Sequence, residues 1–182
     1  IFFNAGAHIQ HHYFFNSKYF INKDISNPEW YVKKKYDPIL DMIIFYDQIL
    51  YEYKKLNDYE IILATGLSQK PYDRTKYYYR LKNHDKFLKD LDINFAKVEP
   101  RMTRDFLITF KNDLEKNQAI KKLDELNEIN KKIIFTFESR NKSIFVTLSI
   151  QHEITKNEKI LIDNHRKILI KDHVVFVALK NG

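Results

Sequence analysis

Between residues 38 and 56 the chain reads PILDMIIFYDQILYEYKKL. Ile39, Ile43, Tyr46, Leu50 and Tyr53 recur at intervals of four, three, four and three, the spacing of one face of an α-helix. Asp37 precedes Pro38, so a capping acceptor is followed by a residue whose missing N–H is harmless in a first turn. The pattern predicts an amphipathic helix over 38–56, ended by Asn57-Asp58. YEIILATG (59–66) has an unbroken apolar centre with Gly66 at its end, the pattern of a strand covered on both faces. Upstream, IFFNAG (1–6) reads as a short strand that stops at Gly6, and HIQHHYFFNSKYF (8–20) as a helix or turn at the strand's end. Strand, helical crossover and second strand in that order indicate a βαβ unit and a parallel sheet.

Residues 22–36 are polar and irregular and carry Pro28 and the single tryptophan, Trp30. Residues 70–104 are charged and aromatic without a clear period, apart from a short helix expected at HDKFLKDL (84–91). The periods then sharpen. DFLITF (105–110) reads as a strand and KNDLEKNQAIKKLDEL (111–126) as a helix. KIIFTFES (132–139) and SIFVTLSI (143–150) read as strands joined by a turn at Arg140-Asn141-Lys142. KILI (159–162) and HVVFVALK (173–180) close the chain. The expected fold is α/β: a mostly parallel sheet flanked by helices over 1–104, continued over 105–182 by a smaller α+β part made of a β-α-β-β segment and closing strands.

Composition narrows the class. A chain of 182 residues that is 44% apolar and 15% aromatic can bury a real core, and three glycines and four prolines leave no long flexible linker. The absence of cysteine excludes disulfides, zinc knuckles and a thiol nucleophile. No apolar run of about eighteen residues exists to span a membrane, and no signal peptide is visible, which fits a cytoplasmic protein. Both termini, IFFNAG and VVFVALKNG, read as strands of a larger fold, so the chain reads as truncated at both ends, with catalytic residues free to lie outside it. The formal charge of +7 favours anionic partners. The lysines alternate with Asp, Glu and Asn along the chain, so nucleic acid is a possible partner without being the favoured one. KYYYR (76–80) could stack bases or form a half-buried segment.

Candidate chemistry centres on AHIQHHYFF (7–15), which holds three of the seven histidines. His8 and His12 are four apart, share a helix face, and could hold one divalent ion through neutral imidazole nitrogens. Two ligands do not complete a site, and a polar helix start is the plain structural reading. In open α/β sheets ligands gather at the carboxyl ends of strands. AGAHIQHH and ATGLSQKP both follow expected strands, which would join the histidines with Thr65, Ser68 and Gln69 as substrate-binding residues in one cleft. Asp47 reads as a helix-surface residue, and His84, His152, His165 and His173 are scattered and solvent-facing or singly bonded. Arg101 and Arg104 could grip an anion or pair with Glu99 and Asp105.

The order of these pieces resembles the alkaline phosphatase superfamily, closest in pattern to its phosphodiesterase and nucleotide pyrophosphatase-like members, with sulfatase-like relatives. FFNAGAHIQHHYFF stands where that family carries an Asp-x-x-x-His metal motif. DPILDMIIFYDQILYEYKKL, with Tyr46-Asp47, stands at its following helix. YEIILATGLSQKP stands at the strand that ends in Ser-Asp-His-Gly. RMTRDFLITF, IFTF and IFVTL look like the strands that follow, and VFVALKNG like the approach to a closing metal histidine that would fall beyond Gly182. The family's Asp falls on His8 if its His is His12, or on Ala7 if its His is His11. The first register keeps two possible ligands, so His8 and His12 are the candidate metal ligands and His11 the reserve. Ser-Asp-His-Gly falls on Ala64-Thr65-Gly66-Leu67, which lacks both ligands. The family's nucleophile would precede Ile1.

The resemblance implies one divalent ion, zinc or manganese, and a metal-dependent hydrolase or transferase acting on small phosphate or sulfate esters. A degenerate relative that binds a ligand or partner without turnover is the alternative, and a basic nucleic-acid-binding protein the third.

Overall fold

The computed structural model describes residues 4–20, 24–64 and 69–182. The chain divides into two compact units, residues 1–76 with 179–182, and residues 77–178.

The second unit is built on a four-stranded antiparallel sheet. Its strands β2 (Lys97–Pro100), β3 (Asp105–Thr109), β4 (Phe135–Arg140) and β5 (Ser143–Leu148) lie in the order β2-β3-β5-β4. Phe106 pairs with Val146 and Ile108 with Ile144, and all four side chains are buried. Alternate residues of β3 and β5 are buried, the period-two pattern of a sheet with one face in the core. Two helices supply the other layer. In α4 (Asp113–Ile129) the buried residues are Ala119, Leu123 and Leu126, spaced four and three. In α3 (His84–Asp90) Phe87 lies 5.9 Å from the Phe135 ring and His84 lies 5.2 Å from the Phe106 ring. Each such fully buried apolar side chain contributes about 2 kcal/mol of transfer free energy. Asn127 fastens the end of α4 to β4, accepting from the Ile134 and Phe135 N–H groups and donating to the Phe135 carbonyl. Two smaller pairs complete the strands. β6 (Lys159–Leu161) pairs antiparallel with β7 (Lys167–Leu169), and β1 (Lys76–Leu81) pairs with β8 (Val174–Lys180), with α5 (Ile170–His173) leading into β8.

The first unit packs α1 (Ala5–Tyr13) against α2 (Pro38–Tyr53), with a 3-10 turn at Phe14–Asn16. The Asp37 side chain accepts from the Leu40 N–H at 3.1 Å, the cap expected from Asp-Pro. The contact between the helices is close at one point. The Tyr46 hydroxyl accepts from the Gly6 N–H at 2.6 Å, and a Cβ on Gly6 would stand 3.0 Å from the Tyr46 ring. A larger residue at position 6 would need the Tyr46 ring to give way by a few tenths of an ångström.

The architecture corrects the expected α/β fold. The paired strands are antiparallel, the protein is α+β, and the described residues contain no parallel sheet. Among the described residues neither strand of the anticipated βαβ unit is present. Ala5 and Gly6 belong to a helix, while Ile1–Phe3 lie outside the described residues. Residues 59–64 form no strand, with Ile62 79% and Leu63 70% exposed. A strand buried on both faces needs a covering layer on each side and ladder partners, and the described residues supply neither to Ile61–Leu63. The stripe of α2 is likewise only half-buried on α1, and Ile43, Ile44 and Phe45 face outward. Where the sequence pattern alternates or follows a helical stripe, in the second unit, elements appear within three residues of the expected ends.

Candidate functional site

Two clamps bring the last residues of the chain onto the histidine helix. His12 Nδ1 lies 2.6 Å from the Leu179 carbonyl oxygen. A carbonyl only accepts, so Nδ1 carries the proton and donates, which leaves a lone pair on Nε2. The Asn181 N–H donates to the His11 carbonyl at 2.7 Å. Between these clamps stands Lys180, whose ammonium lies 3.5 Å from His12 Nε2.

Asn181 is held from the other side by a buried amide pair. Asn27 Nδ2 donates to Asn181 Oδ1 and Asn181 Nδ2 donates to Asn27 Oδ1, each at 2.9 Å. The two Asn27 Nδ2 protons are shared with the His12 carbonyl at 3.1 Å and Asn16 Oδ1 at 2.7 Å as well, and Asn181 Oδ1 accepts from the Phe15 N–H at 3.2 Å. Both amides are buried, so each unmade bond would leave a desolvated polar group at a cost of about 1–3 kcal/mol. The network fixes the backbone that presents Lys180 and His12 to each other.

The electrostatics follow from burial and crowding. Burial pushes His11 down to about 4, and the charges of Lys180, His12 and His8 push the same way. His12 is also lowered, first by burial, against the opposing bond to the Leu179 carbonyl, and then by Lys180 and His8. Burial lowers the Lys180 ammonium as well. His11 and His12 are therefore neutral imidazoles at neutral pH, the form a metal ion or a proton needs. His8 is exposed, with its Nε2 3.5 Å from Asn4 Nδ2.

Of the other anticipated residues, Gln69 joins the same helix. Its Nε2 donates to the Ala7 carbonyl at 3.1 Å. Among the described residues, Gln69 Oε1 and His11 Nδ1 are buried atoms without a hydrogen-bond partner. Thr65 and Ser68 lie outside the described residues. An apolar cleft of about 480 Å³ in the same unit is lined by Gln10, Phe14, Phe20, Ile39 and Pro71, among others.

The other histidines, Arg101 and Arg104 belong to the second unit and have neighbours there. His152 Nε2 lies 2.8 Å from Glu158, His173 Nδ1 lies 3.8 Å from Asp90, and the His165 N–H donates to Asp163. His84 is buried against Phe106. Arg101 pairs with Glu99 at 3.7 Å, and the Arg104 guanidinium lies 4.5 Å from the centre of the Tyr78 ring. Asp47 is exposed on α2. Leu179, Lys180, Asn181, Asn27 and Tyr31, whose hydroxyl lies 3.3 Å from His12 Nδ1, carried no signal in the sequence. Their partners stand far along the chain, and a buried Asn in a polar stretch reads as a loop residue.

The donor set fits a metal ion in part. A ligating histidine whose other ring nitrogen donates to a backbone carbonyl is the usual second-layer arrangement, and His12 has it. Against this, Lys180 occupies the approach to Nε2, and among the described residues no group of three or more His, Asp or Glu is arranged to hold a metal. No helix among them is long and apolar enough to cross a membrane. No family model, no curated protein and no solved structure matches the chain.

Proposed function

We propose that this protein is a metal-dependent hydrolase or transferase of phosphate or sulfate esters, with His12 as a metal ligand through Nε2. His8 and His11 are the neighbouring imidazoles of the set. One observation carries the reading: His12 Nδ1 is tied to the Leu179 carbonyl at 2.6 Å, so its Nε2 lone pair is held in one direction. Such orientation is what a ligand or a base requires and what a solvated surface histidine lacks. The approach of residues 179–181 to α1 adds support, because it holds the backbone beside His12 at two points, through the Leu179 carbonyl and the Asn181 N–H. A bound zinc or manganese ion would polarise a phosphoryl or sulfuryl oxygen. His12 binds, the Leu179 carbonyl orients His12, and Gln69, Thr65 and Ser68 are the proposed contacts to the ester.

Elemental analysis of the wild type beside His8→Ala/His12→Ala tests this, together with turnover of aryl phosphate and aryl sulfate esters. About one ion per chain in the wild type, lost in the double variant along with turnover, is expected. No ion in the wild type after incubation with excess zinc and manganese would overturn the reading. A second reading is a relative that binds a ligand without turnover. It is favoured by Ala64-Thr65-Gly66-Leu67, which offers neither carboxylate nor imidazole. It predicts a folded protein with no turnover of either ester.

A further inference from the structure

We propose that Lys180 is the oxyanion-binding residue of this site, its ammonium taking a non-bridging oxygen of a phosphate or sulfate group beside His12. The inference rests on the ester reading for its ligand class and on separate geometry for the residue.

The ammonium is presented rather than loose. Leu179, the residue before Lys180, is bonded through its carbonyl to His12, and Asn181, the residue after it, is bonded through its N–H to the His11 carbonyl. The Asn27–Asn181 amide pair locks that backbone from the far side. Leu179 and Asn181 are both buried, and along an extended chain the side chain between them points the opposite way. Lys180 Nζ stands 3.5 Å from His12 Nε2. A half-buried positive charge is thus placed against the His12 imidazole.

A cation in that position raises the local potential and favours an anion over a cation. An ammonium carries three donors and no acceptor, so it suits a tetrahedral oxyanion as a point charge. The same charge explains how ester and metal could share the site. If an ion were held at His12 Nε2, Lys180 would be repelled from its present place, and an ester's negative oxygens would offer the ammonium a partner. Anion and metal would then assist one another's binding, each to the same degree.

The test is made without metal, so that it stands or falls apart from the metal reading. The full chain, held in EDTA at constant ionic strength with chloride, is titrated with inorganic sulfate and with inorganic phosphate. Binding is followed by the amide shifts of residues 8–12 and 179–182. Lys180→Met and Lys180→Arg are titrated in parallel, and circular dichroism verifies that each variant is folded. Saturable binding in the wild type, weakened about tenfold or more in Lys180→Met and largely kept in Lys180→Arg, is expected from the loss of one charge-assisted bond. Equal affinity in wild type and Lys180→Met overturns the proposal, and so does the absence of saturable binding in the wild type. Sulfate bound without metal, in a protein that never takes up metal, would leave Lys180 assigned and remove the metal reading alone.

Discussion

His12 and Leu179 stand 167 residues apart in sequence, and the imidazole Nδ1 of one lies 2.6 Å from the carbonyl oxygen of the other. This bond fixes the tautomer and heading of His12 and pins the end of the chain to α1. His12→Ala should therefore cost about 1–2 kcal/mol of stability, the range for removing one partner of a part-buried bond. Urea unfolding measures the loss. Amide exchange at Asn181 should quicken in the same variant, because the clamp beside it is gone. Unchanged stability and exchange would mean that the bond is not made in solution.

The Asn27–Asn181 pair offers a sharper test of buried polarity. Both side chains are buried and bond each other reciprocally at 2.9 Å. Either single change to Ala strands the partner's donors and acceptors and should cost about 2–3 kcal/mol. The double variant should cost less than the sum, since neither stranded amide remains, with a coupling of about 1 kcal/mol or more. A four-member denaturation cycle gives this number directly, and additive losses would contradict the pairing.

Tyr46 caps α1 from another helix, accepting the Gly6 N–H at 2.6 Å. Tyr46→Phe keeps the ring and removes that acceptor, so about 1 kcal/mol should be lost. Gly6→Ala should be worse, because its Cβ would meet the Tyr46 ring at 3.0 Å. Thermal melts of both variants rank the two effects.

Thr103 has φ of 52° in the turn between β2 and β3. A β-branched residue is ill suited to the left-handed region, whereas Asn enters it readily. Thr103→Asn should stabilise the protein by about 0.5–1 kcal/mol, read as a higher denaturation midpoint at unchanged slope.

Acid should loosen the second unit through its histidines. His84 is lowered by burial first, then by Arg80, with Asp85 opposing. His173 is lowered by burial first, with Asp90 and Asp172 opposing and Lys86 and Lys82 adding. Both keep a folded pKa below their ordinary 6.5, so as pH falls through that value the unfolded chain takes up protons that the folded chain refuses. Stability is full above that range and declines between roughly pH 6.5 and the lowered folded values. Melting temperatures across this window should fall, and His84→Gln should flatten the slope.

The sequence by itself determined the elements whose partners are close along the chain. The hairpin around Asn141, α4 with its stripe of Ala119, Leu123 and Leu126, and the Asp37-Pro38 start of α2 all follow from period, cap and turn chemistry, which act within a few residues. The stretch that carries His8, His11 and His12 read only as a helix or turn, and it forms a helix over Ala5–Tyr13. The tertiary structure alone decided the rest. IIL at 61–63 has the pattern of a buried strand, but pattern cannot supply the neighbours that pairing needs, and the segment stands exposed. KYYYR had no helical or strand period strong enough to read, and β1 forms there because β8 offers a partner. The site shows the same division. His12 was visible as a candidate, whereas Leu179, Lys180, Asn181 and Asn27 acquired meaning only when two distant stretches met, because hydrogen bonds and charges depend on distance in space and leave no period in the sequence.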